Sequence, residues 1–253
     1  MGKKIYIILI TVIIASFLIS KGIRSTKAIN KTLAQGIEVI KNYTKLEEVD
    51  IGEYKKITIK KVFPLYTTAY KIENVGYLAI LSFNIGIFQV FSFHLSPYDK
   101  DFPILIIDYM QYFWARRAIF EAYNTTIDKD NDLVKNFINE FEKLKIQYSD
   151  IKDWKRNSQW TITDMNKQGY DTQDNRFTTL FSDVINIYMQ NIIKMPKLEG
   201  DLKKKKADLI KEFSEQMAKN GEIIGKMFKS EMKEEDVIKL FVDIFFGFKF
   251  INN

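Results

Sequence analysis

The stretch that decides the fold, residues 88–123, reads FQVFSFHLSPYDKDFPILIIDYMQYFWARRAIFEAY. It is rich in β-branched and aromatic residues, which favour strands, and short turns divide it into three segments. Connections this short join antiparallel neighbours, because parallel strands need a crossover of a dozen residues or more. We therefore predict an antiparallel meander with strands at Phe88–His94, Pro103–Tyr109 and Arg117–Tyr123.

The rest of the chain adds strands before this stretch and helices after it. Two further strands are predicted upstream, at Ile57–Val62 and Tyr77–Phe83. Downstream, apolar residues recur at helical spacing in four stripes, which lie at 133–148, 181–192, 209–217 and 237–245. Strands followed by helices predict an α+β fold in which helices pack on an antiparallel sheet.

The ends of these helices and the segment between them carry weaker signals. Asp132 and Thr178 have side chains that suit helix N-caps. The segment Asp153–Arg176 has neither strand nor helix periodicity, so we predict a long loop there. Long loops often carry function, and many are surface insertions without one.

The N-terminus carries an apolar run, Ile5–Ile19, with lysines on both sides. As a helix it is about 22 Å long, whereas a bilayer core is about 30 Å thick. This length suits a short membrane anchor or the core of a signal peptide. The small-x-small cleavage sites after the run, such as Ser20-Lys21-Gly22, are poor. We therefore expect residues 1–24 to form an uncleaved anchor, with a cleaved signal or a buried helix as the alternatives.

The remaining residues are predicted to form one connecting helix and one domain. Ile29, Leu33, Ile37 and Ile40 recur at helical spacing, so residues 25–50 should lead as a helix from the membrane to a single domain at 51–253. Positive charge on both sides of the anchor leaves its orientation open. A domain carried behind a leading anchor is commonly exported, which favours an extracytoplasmic position for this one.

Composition excludes several kinds of site. The chain has no cysteine, which excludes disulfides, thiolate metal sites and cysteine nucleophiles. Its single histidine, His94, excludes a histidine-rich metal centre, so we expect no metal site. The net charge of +6 reflects either a compositional bias toward lysine or a surface suited to acidic partners. Because the basic residues are scattered among acidic ones, we expect no nucleic-acid partner.

Asp108 is the most informative polar residue of the deciding stretch. Side chains alternate along a strand, so Ile104, Ile106 and Asp108 share one face, and the carboxylate has mainly apolar neighbours. Burial raises the pKa of a carboxyl group, and a carboxyl group that stays protonated near neutral pH can donate a proton. The alternative is that Asp108 ends its strand and is hydrogen-bonded to a turn.

Four other residues are candidates for the same site. His94 comes close to Asp108 if their strands pair, and is otherwise an ordinary strand-end residue. Arg116 and Arg117 open the next strand, where they either bind an anionic group or simply fill a hairpin turn. Glu121 is a second in-strand carboxylate with the same two interpretations as Asp108.

The segment Phe102–Asp108, in which a proline precedes an aspartate by five residues, resembles a segment of the ferredoxin-dependent bilin reductases and the related red chlorophyll catabolite reductases. The order of elements is similar too, and the last helix ends in an aromatic pair, here Phe245-Phe246. One branch of that family has a catalytic histidine five residues before an earlier proline, where this chain has Ser92 and places His94 two residues closer. The similarity extends over about residues 55–250 in pattern but includes few identities.

The resemblance implies an α/β/α sandwich that binds, and as an oxidoreductase-like enzyme reduces, a linear tetrapyrrole or a similar conjugated ligand. It implies by position that Asp108 is the proton donor, and more loosely that His94 is a second catalytic residue. From their own positions in the strand, we expect Arg116, Arg117 and Glu121 to bind the ligand. No cofactor would be bound, and electrons would come from an acidic iron–sulfur protein. The alternative is a membrane-tethered, non-catalytic ligand-binding or envelope domain, which export would favour because exported domains do not meet reduced ferredoxin.

Overall fold

The computed structural model describes residues 2–59, 63–155, 160–220 and 228–251, with side chains described at residue 11 and from residue 13 onward. In this part of the chain, nine strands form one antiparallel sheet. The strands are β1 (Leu46–Val49), β2 (Lys56–Ile59), β3 (Phe63–Ile72), β4 (Gly76–Ile85), β5 (Phe88–Ser96), β6 (Ile104–Tyr112), β7 (Ala115–Tyr123), β8 (Lys152–Asp153) and β9 (Thr161–Tyr170).

The strand order is β1-β3-β4-β5-β6-β7-β9-β8, with β2 beside β3. The middle of the sheet, from β3 to β7, is a run of antiparallel neighbours in chain order. The meander predicted from residues 88–123 is therefore confirmed. Tight turns make it possible: Gly86 adopts a φ of 73° between β4 and β5, and Phe113 adopts a φ of 51° between β6 and β7.

Helices cover both faces of the sheet, which makes the fold an α/β/α sandwich. Their bounds are α1 (Gly2–Lys41), α2 (Asp132–Gln147), α3 (Asp174–Ile192), α4 (Gly200–Asn220) and α5 (Glu234–Leu240). Buried residues of α1, α2 and α3 form one core against the first face. Buried residues of α4, α5 and the π-helical turn Phe241–Phe245 form a second core against the other face.

Successive side chains of the apolar run in β6 lie alternately in the two cores. Leu105 and Ile107 lie in the core beneath α1, α2 and α3, whereas Ile104 and Ile106 lie in the core beneath α4 and α5. All four side chains are buried. An uninterrupted apolar strand is what a sheet covered on both faces requires, because neither set of alternate side chains meets water.

The N-terminal helix runs without a break from Gly2 to Lys41, so the predicted anchor segment and connecting helix are continuous. Its later half packs on α3, where a Cβ on Gly36 would come within 2.3 Å of the Phe181 ring. The part of the helix from Ile29 to Lys41 thus belongs to the first helical layer. The side chains at 5–10 and 12, within the predicted anchor Ile5–Ile19, lie outside the described residues. Among the helices as described, none combines the length and apolar character of a membrane span.

The predicted loop Asp153–Arg176 is wrong over most of its length. β9 occupies Thr161–Tyr170 and pairs with β7, and α3 already begins at Asp174. Periodicity missed β9 because polar residues occupy buried positions within it. Lys167, for example, is buried, and its ammonium group lies 2.7 Å from a carboxylate oxygen of Asp153 on β8.

Neither of the two predicted N-cap residues, Asp132 and Thr178, caps its helix. Asn131, one residue before Asp132, caps α2 and accepts a hydrogen bond of 2.9 Å from the backbone amide of Leu133. Thr178 lies inside α3, where its hydroxyl bonds to the backbone oxygen of Asp174. Of the predicted strand Ile57–Val62, the part up to residue 59 forms β2, and residues 60–62 lie outside the described residues.

Candidate functional site

The candidate site lies on the face of the sheet that carries α4 and α5. The register of β5 against β6 sets Ser92 opposite Asp108 and His94 opposite Ile106. Asp108 shares its face with Ile104 and Ile106, as strand alternation predicts. Pairing of the two strands therefore brings His94 and Asp108 onto neighbouring rows of one surface.

Ser92 links His94 to Asp108 through two hydrogen bonds. Its hydroxyl donates to Oδ1 of Asp108, and Nε2 of His94 lies 2.7 Å from the same hydroxyl oxygen. A hydroxyl has one hydrogen, so a serine that donates to Asp108 accepts from His94. The neutral ring of His94 therefore carries its hydrogen on Nε2, and its buried Nδ1 finds no partner among the described residues.

Burial fixes the charge of His94. The ring is enclosed, and loss of solvation lowers the pKa of His94 to about 3, so the imidazole is neutral at physiological pH. Its ring centroid lies 5.2 Å from that of Phe246 and 6.5 Å from that of Phe245, the aromatic pair noted in the sequence. His94 is thus held as a neutral hydrogen-bond donor.

Asp108 stands in the middle of its strand, at the boundary between the covered and the open part of this face. β6 continues to Tyr112, so Asp108 does not end the strand. Ser92, Ile106 and Ile119 beside it are buried, whereas Asp108 itself is partly exposed. Ser92 therefore holds the carboxyl group at this boundary.

The open part of the face extends from Asp108 toward the β4–β5 and β6–β7 turns. Phe83, Val90 and Met110 are partly exposed there, and Arg117 is exposed. The registers set Phe83 opposite Val90, Val90 opposite Met110 and Met110 opposite Arg117, so the four form one row across β4 to β7. This row gives Asp108 a mainly apolar surface with one positive charge at its end.

A second row, of aromatic side chains, borders the same surface. The rings of Phe63, Phe83, Phe88 and Tyr112 follow one another across β3 to β6, with centroid separations of 5.9, 5.9 and 6.2 Å. Sequence reasoning missed this row, although the aromatic residues beside the hairpin turns were a signal for it. Aromatic rings and an apolar floor with few polar groups are typical of small-molecule sites.

The two predicted arginines lie on opposite faces. Arg116 is buried beneath the first helical layer, where its guanidinium forms a two-point ion pair with Asp174 at 2.6 and 3.1 Å. It does not reach the Asp108 face, because neighbouring residues of a strand point to opposite sides. Arg117 lies on the Asp108 face, with its guanidinium carbon 5.0 Å from the centre of the Trp154 ring.

Glu121 lies on the same face as Asp108 but deeper in the structure. It pairs with Ile106 across β6 and is buried, and the Tyr123 hydroxyl donates a hydrogen bond of 2.5 Å to its carboxylate. The carboxylate is thus engaged within the second core. Across the described residues, no group of three or more His, Cys, Asp or Glu side chains is arranged to hold a metal ion.

The arrangement can orient a carboxyl group toward an apolar surface and keep it oriented. A proton on Asp108 can be given to a group lying on that surface, and the Ser92 hydroxyl then stabilises the carboxylate that remains. Arg117 can pair with an anionic substituent of the same ligand. The site therefore combines a carboxyl group held by Ser92 with a mainly apolar surface.

One of three comparisons with known proteins found a match, and it bears on the fold. No protein-family model and no curated protein sequence matches the chain. Among solved structures, it is similar to phytochromobilin synthase from tomato in complex with biliverdin, with a TM-score of 0.70 over 88% of this chain and 85% of that one. The identity is 12%, so the likeness establishes the fold. The chain thus shares the fold of that protein, which is the α/β/α sandwich that the resemblance noted in the sequence implies.

Proposed function

We propose that this domain binds a linear tetrapyrrole, or a similar conjugated ligand, on the open part of the Asp108 face and reduces it. The observation that carries this proposal is the position of Asp108, held by Ser92 at the edge of an apolar surface. The fold, which is similar to that of a protein solved with biliverdin, supports the choice of ligand class.

The proposed reaction adds two electrons and two protons to one conjugated double bond of the ligand. An external one-electron donor supplies the electrons in two steps and is itself oxidised. Asp108 supplies one proton to the ligand as electron density rises there, and solvent supplies the other. The O–H bond of Asp108 breaks, a C–H or N–H bond of the ligand forms, and the new carboxylate accepts from Ser92.

His94 acts in this proposal through Ser92. Its Nε2–H group donates to the Ser92 oxygen, which turns the serine hydrogen toward Asp108. Because the His94 ring stays neutral, it adds no positive charge that would keep Asp108 ionised. His94 is thus a positioning residue, which differs from the catalytic role that the resemblance implies.

Ligand binding would combine apolar contact with one charge pair. The row from Phe83 to Met110 and the neighbouring aromatic rings give a surface for a flat conjugated system. Arg117, which is exposed at the end of this row, is the proposed partner for a ligand carboxylate. Arg116 takes no part, since Asp174 engages it on the other face.

The proposed electron donor is an acidic iron–sulfur protein, and the net charge of +6 would favour such a partner. No cofactor of the domain's own is needed for this reaction. We also propose that the apolar run at residues 5–19 attaches the domain to a membrane surface. Which side of the membrane holds the domain decides whether a reduced iron–sulfur donor can reach it.

The experiment is an absorbance titration of the full-length chain, in mild detergent, with biliverdin. We expect saturable binding with a changed visible spectrum. Anaerobic addition of reduced plant-type ferredoxin should then bleach the bound biliverdin band. Binding without bleaching would favour the non-catalytic ligand-binding alternative, and absence of saturable binding would overturn the proposal.

A further inference from the structure

The helix α1 meets the sheet at the tip of the β4–β5 hairpin. Gly22 lies against the backbone of Gly86, where a Cβ on Gly22 would be 3.5 Å from the Gly86 carbonyl group. The side-chain amide of Gln89 donates to the backbone oxygen of Gly22, and Lys21 forms an ion pair with Asp171. From this point toward its N-terminus, the helix runs past the end of the sheet.

Large apolar and aromatic side chains are exposed at this end of the molecule. We call this surface the end face, and its exposed members are Ile13, Ile14, Phe17, Ile19 and Ile23 of α1 together with Ile85, Tyr112, Trp114 and Tyr170 of the sheet. The registers confirm that the sheet residues lie together, since Ala115, next to Trp114, pairs with Tyr170. Between α1 and the hairpin tip lies an open groove of about 730 Å³, lined mainly by apolar residues.

The charged residues at the end face are mostly basic. Arg24 and Lys27 of α1 are exposed beside it, and the turns at 84–87 and 112–115 contain no acidic residue. Asp171, an acidic residue at this edge, is paired with Lys21. Exposed isoleucines, tryptophan and tyrosine with flanking basic side chains are the residues found where proteins meet a membrane interface.

We propose that the end face rests on the headgroup region of an anionic lipid bilayer, with Ile85, Tyr112 and Trp114 inserted at the interface. This contact shares residues 13–19 of α1 with the proposed attachment through residues 5–19, and it adds the sheet residues of the hairpin turns. It does not depend on bilin binding. It orients the domain, because α1 and both hairpin turns then meet the lipid together. Asp108 pairs with Ile119, which lies five residues along β7 from Trp114. At 3.4 Å per residue, Asp108 is therefore about 17 Å from the lipid.

The chain provides a matched pair of reporters for this contact. Trp114 precedes β7 and Trp160 precedes β9, and these strands are antiparallel, so the two residues lie at opposite ends of the sheet. They are similarly exposed, at 54% and 48%. The full-length chain is therefore prepared in two forms, one with Trp114 as its only tryptophan and one with Trp160, the other tryptophans being replaced by phenylalanine.

The test uses vesicles of phosphatidylcholine and phosphatidylglycerol with brominated acyl chains, which quench tryptophan on contact. We expect Trp114 to lose most of its emission and Trp160 to keep its emission. Ile85→Lys should reduce the quenching of Trp114, whereas Ile146→Lys, at an exposed position of α2, should not. Circular dichroism checks that each variant is folded, and a second hairpin variant, Tyr112→Ser, replaces any that is not.

Three results would overturn the proposal. If the protein does not float with the vesicles, both the end-face contact and the attachment through residues 5–19 are wrong. If it floats while Trp114 is unquenched, the attachment stands and the end-face contact is wrong. If the Trp114 emission shifts with protein concentration in the absence of lipid, the end face binds a second copy of the chain.

Discussion

Ser92 and Asp108 face each other across β5 and β6, and the serine hydroxyl donates a hydrogen bond to the aspartate. This contact connects the buried His94 to the open surface of the sheet through a single hydroxyl group. The carboxyl group of Asp108 therefore has a fixed orientation that does not depend on bound ligand. Its proposed role as proton donor can be tested separately from its part in the fold.

Replacing Asp108 with Asn should abolish turnover and leave binding largely intact. The amide oxygen of an asparagine can still accept from Ser92, but an amide has no acidic proton to give. We expect the rate of bilin reduction to fall at least about 10²-fold, the low end for a positioned acid–base group. Single-turnover absorbance with reduced ferredoxin measures the rate, and the titration measures affinity.

Two variants serve as comparisons for this experiment. His94→Gln should lower turnover less than Asp108→Asn, because His94 acts only through Ser92. Asp183→Asn, on α3 beneath the opposite face, should leave turnover unchanged. Equal activity of Asp108→Asn and the parent chain would show that Asp108 is not the proton donor.

The two adjacent arginines should have different mutant phenotypes. Arg117→Met removes an exposed charge from the Asp108 face, and biliverdin affinity should fall about tenfold, equivalent to about 1.4 kcal/mol. Arg116→Met breaks the largely buried ion pair with Asp174 and should lower the free energy of unfolding by about 3 kcal/mol. This value is at the low end of the range for a broken buried ion pair, because Asp174 is partly exposed. Titration and urea unfolding of both variants measure the two effects. A loss of affinity confined to Arg116→Met would mean that the ligand lies on the other face.

The central strands could be predicted from the sequence because their side chains follow simple rules. The run from Ile104 to Ile107 is apolar without interruption, which requires cover on both faces, and the placement of Asp108 followed from alternation alone. The link through Ser92 could not be predicted, because it depends on the register between two strands, and a shift of one residue would turn every side chain over.

Other elements were missed because polar residues occupy buried positions within them. β9 reads as a loop since Asn166 and Lys167 occupy buried positions, and the lysine bonds to β8, which local sequence does not reveal. Strand alternation predicts that Arg116 and Arg117 lie on opposite faces of the sheet. Which of the two faces carries the ligand surface depends on where all the helices pack. Tertiary packing, not local preference, decided these cases.

The lysine run at residues 203–206 contains one structural residue. Lys206 is buried, and its ammonium group donates at 2.6 Å to the backbone oxygens of both Phe102 and Thr125. Lys206→Met should leave these oxygens without partners and lower the free energy of unfolding by about 2–4 kcal/mol. Lys205→Met, at an exposed position of α4, is the matched control and should change it little. Urea unfolding measures both, and equal stability of the two variants would contradict the assigned bonds.

The pH dependence of stability should report on His94. Burial lowers the pKa of His94 in the folded chain to about 3, whereas an unfolded chain has an ordinary histidine pKa of about 6.5. As pH falls below about 6.5, the unfolded state therefore binds a proton that the folded state does not. The stability contributed by neutral His94 is complete above this pH and is lost progressively toward pH 3.

Between pH 7 and pH 5, the free energy of unfolding should fall by about 2 kcal/mol, at about 1.4 kcal/mol per pH unit below the unfolded pKa. His94 is the only histidine of the chain, and the carboxylates with lowered pKa values, such as Asp150 and Asp171, titrate at more acidic pH. Burial lowers the pKa of Lys206 to about 7, so this lysine adds a smaller slope of the same sign to both profiles near pH 7. The His94→Gln variant should therefore show a much flatter profile than the parent chain over this window. Urea unfolding at each pH measures both profiles. A parent chain as flat as the variant would mean that His94 accepts a proton in the folded state, and the neutral link from His94 through Ser92 to Asp108 would then be wrong.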